Sequence, residues 1–503
     1  MLLISCGLRR TLPAASRLVG RASFHALLVL VVGAGIALER ADTSAAATPV
    51  CGTLPAGTTT WTNAGSPFQI CTSGITVPGG ATLVIDGATG PVEVNALGFG
   101  GISVNGGRLQ TANTSTNAVT FTGPTATAGS WVGLSFTQDS SSNKGNGALN
   151  NVTISSASTG ISISSGALST VGSTSFGLVL ANVTISNTSG DGISASSTPI
   201  SVSGGAITNY GSRGISFSSH NLTVDGMTIS NTTLPSGSLE GILASGISAR
   251  QVSITNNTID GAGTFGMSLF SPSNVSPATF TLTGNTVKNS GAANLALSRQ
   301  PHPAVRLISM IAAFGSTGVD GNHGNSNGLD AIAFDGTLTS SATWVTPTNS
   351  ASDHLLGHLV VNGLTIASGA ILTLPANAVV KTLSTLTFQG ATLDATAGGA
   401  TITTLRDNSV GPVTCPSALV TGCSPAAGDW GTLSFTQDFT TTLRGNGALV
   451  GTTIKFPQTA FSIFSGATST VGSTSFGLLL SNVTITNASG DGIQAGSTPV
   501  SMS

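Results

Sequence analysis

Asn182-Val183-Thr184-Ile185-Ser186-Asn187, followed shortly by Gly192-Ile193, is one turn of a phrase that this chain repeats. Ala206-Ile207-Thr208-Asn209 leads to Gly214-Ile215, and Met227-Thr228-Ile229-Ser230-Asn231 to Gly241-Ile242. Asn257-Thr258-Ile259 leads to Gly266-Met267, and Asn285-Thr286-Val287-Lys288-Asn289 to Asn294-Leu295. The first apolar anchors are Ile154, Ile185, Ile207, Ile229, Ile259 and Val287. They recur at intervals of about 20 to 30 residues, which is the range of solenoid repeats. Apolar and polar residues alternate inside each phrase, which is the pattern of a half-buried strand. A period of this size, built from short strands without helix-length segments, is the signature of a solenoid of stacked β coils. In such a solenoid Ile185, Ile193, Ile207, Ile215, Ile229, Ile242, Ile259 and Val287 point inward and stack in rows.

Composition carries the same pattern. Charged residues make up 7% of the 503 residues, against about 25% in ordinary globular domains. An apolar fraction of 40% that recurs with period 2 argues against disorder. Coils that satisfy each other's backbone can turn Ser, Thr and Asn outward. Like charges at equivalent positions would instead stack about 4.8 Å apart and repel.

Residues 1–47 read as a signal peptide. Arg9, Arg10, Arg17 and Arg21 form a basic stretch, Ala26 to Leu38 an unbroken short apolar run, and Ala45-Ala46-Ala47 a small-residue cleavage site. The apolar run is too short to cross a bilayer, and no membrane span is expected once it is removed. The expected location is therefore secreted or at the cell surface. The remaining chain holds 11 Lys and Arg against 16 Asp and Glu, a net charge of −5. It lacks the basic footprint of a nucleic-acid binder. Cys6 leaves with the leader. Cys51, Cys71, Cys415 and Cys423 remain, and four cysteines allow three pairings. The expected pairs are the local ones, Cys51–Cys71 and Cys415–Cys423. No Cys-x-x-Cys and no His at zinc spacing accompany them, so neither a metal site nor a cofactor is expected.

A longer repeat overlies the short one. Trp131-Val132-Gly133-Leu134-Ser135-Phe136-Thr137-Gln138-Asp139 returns as Trp430-Gly431-Thr432-Leu433-Ser434-Phe435-Thr436-Gln437-Asp438, and Asn182 to Ile193 returns as Asn482 to Ile493. The offset between the copies is nearly constant. The reading is two tandem copies of one module, residues 48–320 and 321–503, continuous with each other. The second copy is taken as truncated, because Ser503 corresponds to Ser203 and the first copy runs on beyond that point. The segment around Cys415 and Cys423 is extra length in the second copy and reads as a loop inserted between coils.

Several stretches resemble the right-handed parallel β-helix, or pectin-lyase-like, repeats of large secreted or surface proteins of bacteria. They are Trp61 with Ser66-Pro67-Phe68 and Gly74-Ile75-Thr76-Val77-Pro78-Gly79-Gly80-Ala81-Thr82-Leu83, Gly129-Ser130-Trp131-Val132-Gly133-Leu134, Gly324 to Ala333, and Leu405-Arg406-Asp407-Asn408-Ser409-Val410-Gly411. The resemblance implies an all-β, right-handed parallel β-helix. Related repeats often carry an Asp/Gly-rich loop resembling a calcium site. Here Pro412-Val413-Thr414-Cys415 stands in that place and offers no such ligands.

Three groups of residues could carry chemistry. Alignment on the Gly-apolar pairs puts Asp191, Arg213 and Glu240 at one coil position, as a base and carboxylates of a polysaccharide-cleaving groove or as a solvated charge ladder. Gly324-Asn325-Ser326-Asn327-Gly328, near His323 and Asp330, matches a nucleophile pattern, but no helix-period segment follows Ser326, so a turn between coils is the better reading. Asn187, Asn209, Asn231 and Asn289 each follow an anchor by two residues, where a sharp corner favours a left-handed residue. They are expected to form a structural Asn ladder. The expected function is a structural, adhesive or glycan-contacting role with polysaccharide or cell-surface glycans as partners, the alternative being a polysaccharide lyase or glycoside hydrolase. Trp61, Trp131, Trp344, Trp430 and Tyr210 could stack on sugars or pack beneath loops.

Overall fold

The structure, a computed structural model, describes residues 46–164, 169–171, 174–232, 240–247, 250–270, 280–291, 303–308, 321–344, 356–411, 413–414, 423–464, 469–471 and 474–503. Most of the expected signal peptide, Asn294-Leu295 and Cys415 lie outside them. From Ala47 onward the chain forms one compact unit. Its described strands pair in parallel, except for the hairpins Ser169–Val171 with Thr174–Phe176 and Ser469–Val471 with Thr474–Phe476. Among the described residues the helical structure is one 3-10 turn, Asn63–Gly65.

Each coil has three faces. Face A carries Ile193–Ser196, Ile215–Ser218 and Ile242–Ser245, face B Leu222–Asp225, Val252–Thr255 and Phe280–Thr283, and face C Thr228–Ser230, Thr258–Asp260 and Thr286–Lys288. In the preceding coils faces B and C belong to one bent strand, as in Leu178–Thr188 and Ile200–Tyr210. The parallel fold is a coil-on-coil register. Ile154, Ile185, Ile207, Ile229, Ile259 and Val287 are successive partners on face C. Leu134, Ile161, Ile193, Ile215, Ile242 and Met267 are successive partners on face A. None is more than 1% exposed. Burial of a full aliphatic side chain stabilises by about 1.5–3 kcal/mol, so these rows supply much of the drive to stack.

Corners explain the polar half of the phrase. Between faces B and C, Asn151, Asn182, Gly204, Gly226, Asn256 and Gly284 occupy equivalent positions with φ between +52° and +67°. Gly lacks the Cβ that clashes there, and Asn tolerates the conformation better than other residues. The Gly of each Gly-apolar pair answers a different need. A Cβ on Gly192 would lie 2.5 Å from Ile207 Cγ2 and 2.7 Å from Gly214 O, so the chain passes too close to its neighbour for any side chain.

Candidate functional site

The C-to-A corner carries the charge ladder. Gly192 N donates to Arg213 O at 2.9 Å and Gly214 N to Glu240 O at 3.2 Å, which sets Asp191, Arg213 and Glu240 one above another. Asp191 Oδ1 accepts from the backbone N of Arg213 at 3.1 Å, and Arg213 Nε donates to Glu240 Oε2 at 3.0 Å. The Arg213 and Glu240 side chains are 27% and 14% exposed. The same stacking puts Thr159 before Asp191 and Phe265 after Glu240, so the charged run spans three coils. Asp191 thus accepts one hydrogen bond from the Arg213 backbone, and Glu240 one from its guanidinium.

Ser326 sits at the same corner, with φ +58°, as Asn187, Asn209 and Asn289. It lies between the strands His323–Asn325 and Leu329–Leu338, with no helix to form an elbow. Asp330 Oδ1 accepts from Asn327 N at 3.0 Å and Nδ2 at 2.9 Å. The aromatics are inside. Trp61, Trp131, Trp344, Trp430 and Tyr210 are at most 4% exposed. Trp61 stacks on Phe68 with ring centroids 4.6 Å apart. The indole N–H of Trp131 donates to Ser155 O at 2.7 Å, that of Trp430 to Lys455 O at 2.7 Å and that of Trp344 to Val379 O at 3.0 Å.

The Asn residues fall into two groups. Asn209 Nδ2 donates to Asn187 Oδ1 at 3.4 Å, and Asn289 Nδ2 to Asp260 Oδ1 at 2.7 Å. Asn231 departs from this row. It lacks the positive φ of its neighbours and turns inward, its Nδ2 donating to Tyr210 O at 2.9 Å, while Thr232 Oγ1 donates to Asn209 instead. A second row, inside the B-to-C corner, comprises Asn257, Asn285 and Asn322, at most 2% exposed. Asn257 Nδ2 donates to Asn285 Oδ1, and Asn285 Nδ2 to Asn322 Oδ1, each at 2.9 Å. Their amides also donate to Val224 O, Ile254 O and Leu282 O. The available signal was an Asn two residues before the anchors Ile259 and Val287.

A buried ionic cluster also escaped the sequence reading. Lys381, 1% exposed, stands on the strand Val379–Thr382 and lies under Leu405 and Thr414. Its Nζ donates to Thr414 Oγ1 at 3.3 Å, and Thr414 Oγ1 donates to Leu405 O at 2.6 Å. Burial lowers the Lys381 pKa to about 8, against the opposing pull of Asp407. Burial pushes the Asp407 carboxyl up, but hydrogen bonds from Ser409, Thr403 and Lys455 outweigh it and hold the pKa below the usual value. Lys455 Nζ pairs with Asp407 at 3.3 Å, and Arg406 with Asp429 at 2.8 Å. The segment expected as a loop between coils is thus preceded by a strap packed over the strand Val379–Thr382. A single Asp in an apolar-poor loop gives no sequence cue to a Lys that lies a coil away.

Cys51 and Cys71 form a disulfide between neighbouring coils, with Cα atoms 5.5 Å apart. Cys423 is disulfide-bonded, and its expected partner Cys415 lies outside the described residues. Among the described residues no three His, Cys, Asp or Glu side chains gather to hold a metal ion, and no helix is long and apolar enough to cross a membrane.

Residues 141–306 match the family described as the right handed beta helix region. That match and the coil-on-coil parallel sheets define the class: an all-β, right-handed parallel β-helix repeat protein. Among solved structures, the A-module of the Azotobacter vinelandii mannuronan C-5 epimerase AlgE4 is similar at 12% identity. The match covers 90% of this chain and 91% of that one, with a TM-score of 0.15, and at that level carries no argument about chemistry. No curated protein matches the sequence.

Proposed function

We propose that this chain is an exported, non-catalytic β-helix of the cell surface or extracellular space, with a structural, adhesive or glycan-contacting role. The observation that carries the reading is the Asp191–Arg213–Glu240 ladder. Glu240 accepts from the Arg213 guanidinium and Asp191 from the Arg213 backbone N–H, and the flanking coils offer Thr159 and Phe265 rather than more acids. A lyase or hydrolase needs an uncommitted base or a second carboxylate at a defined distance. The outward positions of face A support a contact surface: Ser103, Ser135, Ser162, Ser194 and Ser216 stand in register on five successive coils. The Trp side chains are buried, and the groups left to meet a glycan are this Ser row with Phe99, 79% exposed beside Ser103 and Ser135.

The test is a screen of the purified chain against pectate, alginate, rhamnogalacturonan and chondroitin, read by reducing ends and unsaturated products, with retention on the same polymers measured in parallel. Retention without turnover is the expected result. Turnover lost in Arg213→Ala would overturn the reading in favour of a polysaccharide lyase or glycoside hydrolase.

A further inference from the structure

The outward side of face C is a two-row grid of hydroxyls. One row runs Thr120, Thr153, Thr184, Ala206, Thr228, Thr258 and Thr286 through successive paired strands. The second runs Thr122, Ser155, Ser186, Thr208 and Ser230 in the same register. Neighbouring strands lie about 4.8 Å apart, and residues two apart on a strand about 6.7 Å. The grid therefore repeats in two directions. From Thr120 to Ser230 it carries no charge; Glu93 borders it on one side, and the Asp260–Lys288 ion pair, 3.1 Å long, on the other. The Thr residues of the first row make no side-chain hydrogen bond to a described residue, whereas in the second row Ser155 Oγ donates to Thr122 Oγ1 at 3.0 Å.

Strand propensity favours Thr on any outward position. It does not explain why the same coils use Ser on face A, at Ser135, Ser162, Ser194 and Ser216. On face C the first row is Thr at every position but Ala206, which sets a methyl beside each of its hydroxyls, while the second row mixes Thr122 and Thr208 with Ser155, Ser186 and Ser230. A row of Thr with a parallel row of hydroxyls orders water at fixed spacing, the methyls of the first row fencing each water and the hydroxyls of both anchoring it. Oxygen rows on the prism plane of hexagonal ice repeat at nearly the strand spacing. A sugar-binding surface would instead place aromatic rings among the hydroxyls, and neither outward row contains one.

We propose that the outer side of face C, from Thr120 to Ser230, is an ice-binding surface. The activity is separate from any glycan contact on face A, so its failure leaves that reading intact. The experiment measures ice recrystallisation in frozen sucrose solution with the full chain. The parent should keep crystals small. Thr153→Lys and Thr184→Lys stand a long cation in the grid and should lose the inhibition, while Ser194→Lys, on face A of the same coil as Thr184, should keep it. Ala206→Tyr leaves every Thr in place and raises a ring above the grid; it should also lose inhibition, and it answers for any Lys variant that melts early. Absence of inhibition by the parent overturns the proposal. So does equal inhibition by parent, Thr184→Lys and Ala206→Tyr. Adsorption to crystalline cellulose or chitin that these substitutions abolish, with no effect on ice, overturns it too and moves glycan contact to face C.

Discussion

Gly214 lies directly against Ile229 of the next coil: a Cβ on Gly214 would stand 2.5 Å from Ile229 Cγ2 and 2.5 Å from Gly241 O. The relation recurs one coil on, where a Cβ on Gly241 would meet Ile259 Cγ2 and Gly266 O, both at 2.6 Å. The Gly-apolar pair is thus the place where one coil rests on the core of its neighbour, and a backbone oxygen closes the space that a side chain would need.

Gly214→Ala should lower stability by about 1–3 kcal/mol through overpacking. Gly226→Ala is the comparison: its Cβ has 3.9 Å of clearance but φ is +66°, so it meets only the left-handed penalty of about 1 kcal/mol. Urea melts should rank Gly214→Ala below Gly226→Ala. The reverse order would mean that coil spacing is looser than described.

Asn285→Ala should be costlier than any change at the exposed corner. Asn285 Oδ1 accepts from Asn257 N at 3.1 Å and from Asn257 Nδ2 at 2.9 Å, and all three Asn are buried. Each donor left unpaired costs about 1–3 kcal/mol. Asn289→Gly keeps the left-handed corner and should cost less than ~1 kcal/mol. Matching losses for the two variants would mean that the inner row adds nothing.

Stability should rise with pH between about 8 and 10.5 at Lys381, whose ordinary value of 10.5 falls to about 8 on folding. In that window the unfolded chain binds the proton and the folded one does not, so unfolding takes up a proton as it occurs. Below pH 8 both states are protonated and the full burial penalty stands, of order 3 kcal/mol at most. Lys381→Met should flatten the alkaline rise and raise the melting point at pH 7. An unchanged slope in the variant would place the titration elsewhere.

Arg213→Ala should cost no more than about 1 kcal/mol, since the Arg213–Glu240 pair is partly exposed. Raising the salt concentration should narrow the gap between parent and variant. A loss of several kcal/mol, insensitive to salt, would mean that the corner depends on this pair for its shape.

Some of these relations are legible in the sequence and others are not, for physical reasons. Period-2 alternation, with anchors recurring every 20 to 30 residues or about that, determines by itself that the chain stacks short strands. The inward rows at Ile185, Ile207 and Ile229 follow directly, because one-residue slips would turn the apolar set to solvent. The same alignment placed Asp191, Arg213 and Glu240 at one corner, since equal spacing from the Gly-apolar pair means equal position on the coil.

Other features depend on which groups meet across coils. Asn231 and Asn209 occupy the same place in the phrase, yet Asn231 turns inward to Tyr210, and nothing in the phrase distinguishes them. Whether Trp131 would face a ligand or the core rested on its neighbour Ser155, which accepts the indole hydrogen bond. Lys381 and Asp407 belong to different strand segments, and only the strap folding back from Leu405 to Thr414 buries the amine and lowers its pKa. The sequence by itself determined the repeat, the inward rows and the register, because burial acts on residue type and spacing alone. The tertiary structure decided which polar side chains engage one another, because hydrogen bonds and desolvation depend on the distances between coils.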